Sequence, residues 1–181
     1  MRIRRIAATD WKSFRDLRLR SLKTDPPAFG SSFRREKAYP VSKWKGWAEG
    51  ASRGTDSATF VAEAPGRHLV GMAGVFTAVD GYHVWGMWVS PELRGQGVGR
   101  ALLDRLLAWT ESKELGRSVC LEVNPDQETA VRLYEGRGFK STSKISPLGH
   151  HAPAVIQEMR LDPKSVSLSN TSNRKPRRTG V

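Results

Sequence analysis

The sequence predicts one α+β domain of three layers, a mostly antiparallel mixed sheet of six or seven strands flanked by about four helices. Three observations carry this expectation. Three apolar strands follow one another across residues 58–89 with only tight turns between them, which makes a meander rather than a series of alternating parallel units. A glycine-rich stretch, Arg94-Gly95-Gln96-Gly97-Val98-Gly99-Arg100, follows the last of these strands and runs directly into a strongly amphipathic helix. The chain of 181 residues is long enough for one substantial core and short for two.

In chain order, residues 2–7 set Ile3 and Arg5 against Arg4 and Ile6, the period of a strand. Thr9 is placed to cap a helix over 10–23, with Trp11, Phe14, Leu17 and Leu22 inward, and Asp25-Pro26-Pro27 stops it. Residues 28–32 read as a loop, and 33–39 with 42–49 as a short, broken second helical region. There Phe29, Phe33, Trp44 and Trp47 either line a substrate cleft or fill core beneath it. A polar loop at 52–56 leads to strands at 58–63, 69–79 and 82–89, joined by Ala64-Pro65-Gly66-Arg67 and by the hairpin signal Asp80-Gly81. The helix after the glycine loop spans 97–112, with Leu102, Leu103, Leu106, Leu107 and Thr110 inward and Arg100, Asp104, Arg105 and Glu111 outward. A strand at 118–123 follows, then a helix at 129–137 with Ala130, Leu133 and Tyr134 inward, and strands at 139–145 and 154–161. The domain is expected over 1–162, and 163–181 as a basic, disordered tail with too little to bury.

Net charge is +12, of which Lys164, Arg174, Lys175, Arg177 and Arg178 supply five, so the body is basic without the tail. Such a body suits a phosphate-rich small molecule or a nucleic acid, and charge alone does not choose. No apolar run approaches the roughly 18 residues of a membrane span, and the N-terminus lacks the apolar centre of a secretion signal. Cys120 is the only cysteine, which excludes an internal disulfide and a Cys-x-x-Cys metal site. His150-His151 lacks a third ligand, so no metal is expected. These features suggest the reducing cytoplasm and no membrane partner.

The first turn of a helix leaves N–H groups unpaired at its positive end, and glycines let a large anion approach them. Three phosphate loops compete for this stretch. A Walker loop needs Lys-Ser or Lys-Thr after its glycines, which is missing. A dinucleotide fingerprint fails because Arg100 stands where its last glycine belongs, and Ser90-Pro91-Glu92-Leu93 separate strand from loop. The third pattern, Q/R-x-x-G-x-G/A, matches as Arg94-Gly95-Gln96-Gly97-Val98-Gly99. It resembles the pyrophosphate loop of the GNAT N-acetyltransferases. A second signature, Ala130-Val131-Arg132-Leu133-Tyr134-Glu135-Gly136-Arg137-Gly138-Phe139, is similar to the A-x-x-L-Y-x-x-x-G-F helix of that family.

The resemblance covers residues 1–162 and implies the GNAT acyl-CoA N-acyltransferase fold, acetyl-CoA as cofactor, and a small-molecule or peptide primary amine as acceptor, attacked directly in a ternary complex. It implies that Met87, Trp88 and Val89 hydrogen-bond the pantetheine arm, while Gly95, Gln96, Gly97, Val98, Gly99 and Arg100 hold the pyrophosphate beside Arg94. Gln127 stands where the family often has asparagine, with Asn124 as a substitute. Phe29 and Phe33 are candidates for contacting the acceptor.

An alkylamine of pKa near about 10.4 is about 3.4 units from neutral at pH 7, roughly 4–5 kcal/mol, so a base or a water chain must take its proton. Counting four residues back from Met87, as the family places a glutamate, gives His83; Glu122 and Glu63 are alternatives, as is water alone. By the same resemblance Tyr134 protonates the leaving thiolate, and the N–H of Met87 or Trp88 supports the oxyanion. The competing reading is an RNA-associated acyltransferase or nucleic-acid-binding protein using the basic surface, although the tail has no aromatic residue to stack on bases. A domain that binds acyl-CoA without turning it over is a third. The chain is expected as a monomer or homodimer.

Overall fold

The computed structural model describes residues 1–113, 116–148 and 154–163. These form strands β1 (Arg2–Arg5), β2 (Ser57–Glu63), β3 (Leu69–Ala78), β4 (Gly81–Val89), β5 (Val119–Val123), β6 (Lys140–Pro147) and β7 (Val155–Leu161). The helices are α1 (Trp11–Thr24), α2 (Phe33–Lys37), α3 (Val41–Arg53), α4 (Val98–Lys113) and α5 (Glu128–Glu135). One open sheet runs β1-β2-β3-β4-β5-β7-β6. Every neighbouring pair is antiparallel except β4 and β5, which are parallel. The expected layers are all present.

Each face of the sheet buries its own core. On one side Leu102, Leu103 and Leu106 of α4 pack against Val75, Tyr82 and Leu121. On the other, Phe14 and Leu17 of α1 and Trp44 and Ala48 of α3 cover Val61, Met72 and Trp88. Fully burying each large apolar side chain contributes about 1.5–3 kcal/mol, so the two cores hold the helices in place against ordering entropy.

Local differences from the expected elements have local causes. Asp10, not Thr9, organises the start of α1: its Oδ2 accepts from the Ala7 N–H at 2.7 Å and from Arg4 Nη1 at 2.6 Å, and a 3₁₀ turn at Ala8–Asp10 precedes the helix. The broken helical region is two helices separated at Pro40, which lacks the N–H to continue α2. Ser32 caps α2, accepting from the Arg35 N–H at 3.2 Å. α3 runs through Arg53 to a left-handed Gly54, so the first two residues of the expected polar loop at 52–56 are helix. The expected tail, 163–181, lies outside the described residues except for Pro163, as does His150-His151.

Candidate active site

An isolated glycine in a strand sets up the centre of the molecule. Gly86 has φ +64, and the pairing of β3 with β4 jumps from Gly74–Trp85 to Met72–Trp88, so β4 carries a bulge at Gly86-Met87. Beyond the bulge the strand faces different neighbours. β5 pairs with β4 only at Tyr82–Val119 and His83–Cys120, then diverges and stays paired to β7 along its whole length. The β4 edge from Val84 to Val89 is therefore an open strand edge inside the sheet, with backbone donors and acceptors that strand pairing does not satisfy. A cavity of about 70 Å³ lies in the gap, bordered by Gly86, Met87, Glu122, Gln127 and Tyr134.

Tyr134 sits at the inner face of α5, 6% exposed, with its ring edge-to-face on Phe139 at 5.9 Å. Burial pushes its phenol up from 10.0 to about 12. No hydrogen bond to its hydroxyl is present among the described residues.

The glycine loop lies at the far end of β4. Gly95 and Gly97 have φ +74 and +80, and a Cβ on either would point into open space. Their positive φ turns the chain sharply into α4, whose first residues Val98 and Gly99 lack intrahelical N–H partners. Gly99 packs closely, since a Cβ there would lie 3.4 Å from Leu133 of α5. The open cradle, the helix start and the unpaired β4 edge together fit a long molecule that ends in a pyrophosphate.

A second, larger cleft of about 480 Å³ opens between α1, α2 and α3, with Trp47, Phe76 and Trp85 among its walls. Trp85 borders both cavities. Across the larger one runs a buried ion pair: Arg18 Nε and Nη2 donate to Glu36 at 2.9 and 2.7 Å, and the two residues are 5% and 2% exposed. Breaking such a pair from one side costs about 3–5 kcal/mol.

The expected site residues separate accordingly. Met87, Gln127, Tyr134 and Phe29 border the smaller cavity, with Glu122 beside them. Trp88 is buried against the α1 face, and its Nε1 donates to Asp25 at 2.6 Å. Arg94 spends its guanidinium on the same Asp25 carboxylate and on the Val89 carbonyl at 3.0 Å, while Arg100 is exposed at the helix start. Asn124 is buried, its Oδ1 accepting from the Asp126 N–H at 2.9 Å. Phe33 packs beside the second core with Lys37 over its ring, outside the lining of both cavities. His83 bonds Asp80 at 2.8 Å and stacks on Phe76 at 5.5 Å, one side chain behind the larger cleft. Glu63 is held by Arg4 at 3.0 and 3.1 Å near the β1 edge. Trp44 is entirely core.

Arg18, Glu36 and Trp85 were not singled out in the sequence. A signal for Arg18 exists: it occupies the same helical stripe as Phe14, Leu17 and Ser21, where a charged residue needs a partner.

Known proteins share sequence and fold with this chain. The model of the Acetyltransferase (GNAT) family matches residues 11–139. The N-alpha-acetyltransferase RimI of Mycobacterium tuberculosis is 33% identical over 119 residues, 64% of this chain and 61% of that protein. The peptidyl-lysine N-acetyltransferase YjaB of Escherichia coli is 32% identical over 82 residues, 44% of this chain and 52% of that protein. The chain thus spans about half to three fifths of the length of these two relatives. The structure of yncA from Salmonella typhimurium with its cofactor acetyl-CoA superposes with a TM-score of 0.74 at 16% identity, covering 94% of this chain and 98% of that one. No described helix is long and apolar enough to cross a membrane. A family match across most of the folded chain, on the fold that family shares, settles the kinship: the protein belongs to the GNAT family of acetyltransferases.

Proposed function

We propose that the protein is an acetyl-CoA-dependent N-acetyltransferase that acetylates a primary amine by direct attack in a ternary complex. The observation that carries this reading is that Trp85 borders two cavities, one in the gap along the open β4 edge and one on the α1–α3 side. Two substrates can thus meet at one strand, beside Trp85. Acetyl-CoA, when bound, supplies the acetyl group as a thioester. The amides of residues 95–100 hold its pyrophosphate, with Arg100 adding charge at the rim, and Arg94, tied to Asp25 and Val89, braces the loop against β4. The unpaired edge at Met87 and Val89 bonds the amide-bearing arm, and Gln127 borders the same space. The Met87 N–H donates to the carbonyl oxygen as negative charge develops there.

Two proton movements remain for the chain. Tyr134 keeps its proton at Oη at neutral pH, because burial raises its phenol, and would deliver it to the departing sulfur. The carboxylate lining the larger cleft, Glu36, is committed to Arg18, so the amine proton leaves through water. His83 receives it: Asp80 holds Nε2 and leaves Nδ1 as the acceptor, just behind Phe76.

The test is a panel of amines, amino acids and peptides scored by thiol release from acetyl-CoA, together with calorimetric titration of acetyl-CoA. Micromolar binding with amine-dependent thiol release supports the reading. Absence of binding overturns it, and binding without turnover of any amine reduces the protein to a silent acyl-CoA binder.

A further inference from the structure

We propose that the acceptor is a free α-amino acid with an apolar or aromatic side chain, and that Arg18 and Ser31 bind its carboxylate; this rests on the acetyl-transfer reading above. The Arg18 guanidinium engages Glu36 through Nε and Nη2 only. Its third nitrogen, Nη1, is buried and has no hydrogen-bond partner. Ser31 Oγ, on the wall of the same cleft, is buried and unpartnered too. A buried donor left without an acceptor is destabilising, and folded proteins carry few of them. Two on one cleft wall point to a ligand that supplies the acceptor.

The chemistry of the donors selects that ligand. Nη1 offers two N–H groups and Ser31 one O–H, a set that matches the two oxygens of a carboxylate. Glu36 already neutralises Arg18, and Arg35 borders the same cleft, so a single negative charge is balanced where a doubly charged phosphate would not be. The guanidinium is held in plane before any ligand arrives: it lies 4.6 Å over the Phe29 ring and 5.9 Å from that of Trp85.

Position selects the amine. A Cβ on Gly86 would lie 3.6 Å from Arg18 Nη1, so the free donor sits beside the β4 bulge where the two cavities adjoin. A carboxylate bound there brings to the reacting centre an amine only one carbon away, that of an α-amino acid. The distant amine of a lysine side chain would overshoot. Trp47, Phe76 and Trp85 then enclose the side chain, with Gly46 and Gly50 leaving room for it.

The experiment compares phenylalanine, phenylalaninamide, phenethylamine and a peptide with N-terminal phenylalanine, at matched concentrations of neutral amine, by thiol release from acetyl-CoA. Phenylalanine is expected to exceed the other three in kcat/KM by about tenfold or more. In Ser31→Ala and in Arg18→Lys, which keeps a cation beside Glu36, the preference for phenylalanine over phenethylamine should fall about tenfold, through KM rather than kcat. Ser31→Ala carries the test if the arginine variant does not fold. A second readout needs no turnover: 3-phenylpropanoate should change tryptophan emission and phenethylamine should not. Equal kcat/KM across the four compounds, an unchanged preference in folded variants, or no binding of 3-phenylpropanoate overturns the inference while acetyl transfer stands. Loss of acetyl-CoA binding itself would instead overturn the parent reading.

Discussion

Replacing Tyr134 by phenylalanine removes one hydroxyl from the gap between β4 and β5 and keeps the ring and its 5.9 Å contact with Phe139. Because that hydroxyl has no partner in the described protein, its loss should change stability by no more than about 1 kcal/mol. In the proposed role of proton donor to the leaving sulfur it would contribute far more to rate. Loss of a general acid lowers kcat on the order of a hundredfold, or about 3 kcal/mol of barrier, with acetyl-CoA affinity nearly unchanged. The assay is thiol release with both substrates saturating, alongside calorimetric binding. A phenylalanine variant that retains more than about half the parent kcat would refute the assignment. pH supplies an independent check. In the folded protein burial raises the phenol from 10.0 to about 12, so between these values the unfolded chain releases a proton that the folded one keeps. Stability therefore falls as pH rises through that window, by up to about 3 kcal/mol, and the phenylalanine variant should lack this loss. Turnover by the parent should not lose this group to deprotonation until near pH 12.

Four further outcomes follow from the geometry. Gly97→Val places a β-branched residue at φ +80 in the loop and should raise the acetyl-CoA dissociation constant about tenfold or more by calorimetry, with the fold intact by circular dichroism. Gly74→Ala would drive a Cβ into the Trp85 ring and should cost about 1–3 kcal/mol in urea unfolding while raising the acceptor KM. Arg4→Met should make stability less dependent on acid: Arg4 holds Glu63 below its usual range and, against the opposing effect of burial, Asp10 also, so their contribution is present above the carboxylate range and lost as pH falls through their depressed values. Truncation after Pro163 should leave the melting temperature within about 3 °C and acetylation of a small amine intact, since residues 164–181 hold little apolar surface.

Particular residues show why some features were legible along the chain and others were not. The cradle at Gly95–Gly97 could be read directly, because a turn that admits an anion needs positive φ and open space within a few consecutive residues. Tyr134 was legible for a similar reason, as the inward position of a short helix with its own terminating glycine. Gly86 was a readable signal, a glycine alone in a strand pattern, although its consequence, the reversal of facing between Trp85 and Met87, needs the partner strand to be seen. Thr9 failed as a cap because Asp10 is fastened from a distance by Arg4, and local propensity yields to such a bond.

The local order of the chain therefore determines the meander, the helix faces, the glycine loop and the tyrosine helix, because each depends on periodicity or backbone freedom over a few residues. Tertiary structure alone decides the acceptor side. Arg18 meets Glu36 across 18 residues, and Trp88 meets Asp25 across 63, by docking α1 and the segment after it onto β4. No spacing rule encodes those approaches. The orphaned Nη1 and the wall at Trp85 exist only once the helices have packed. The physical reason is range: hydrogen-bond geometry in turns and helices is set by neighbours in sequence, whereas a cleft is the space left over when whole elements pack.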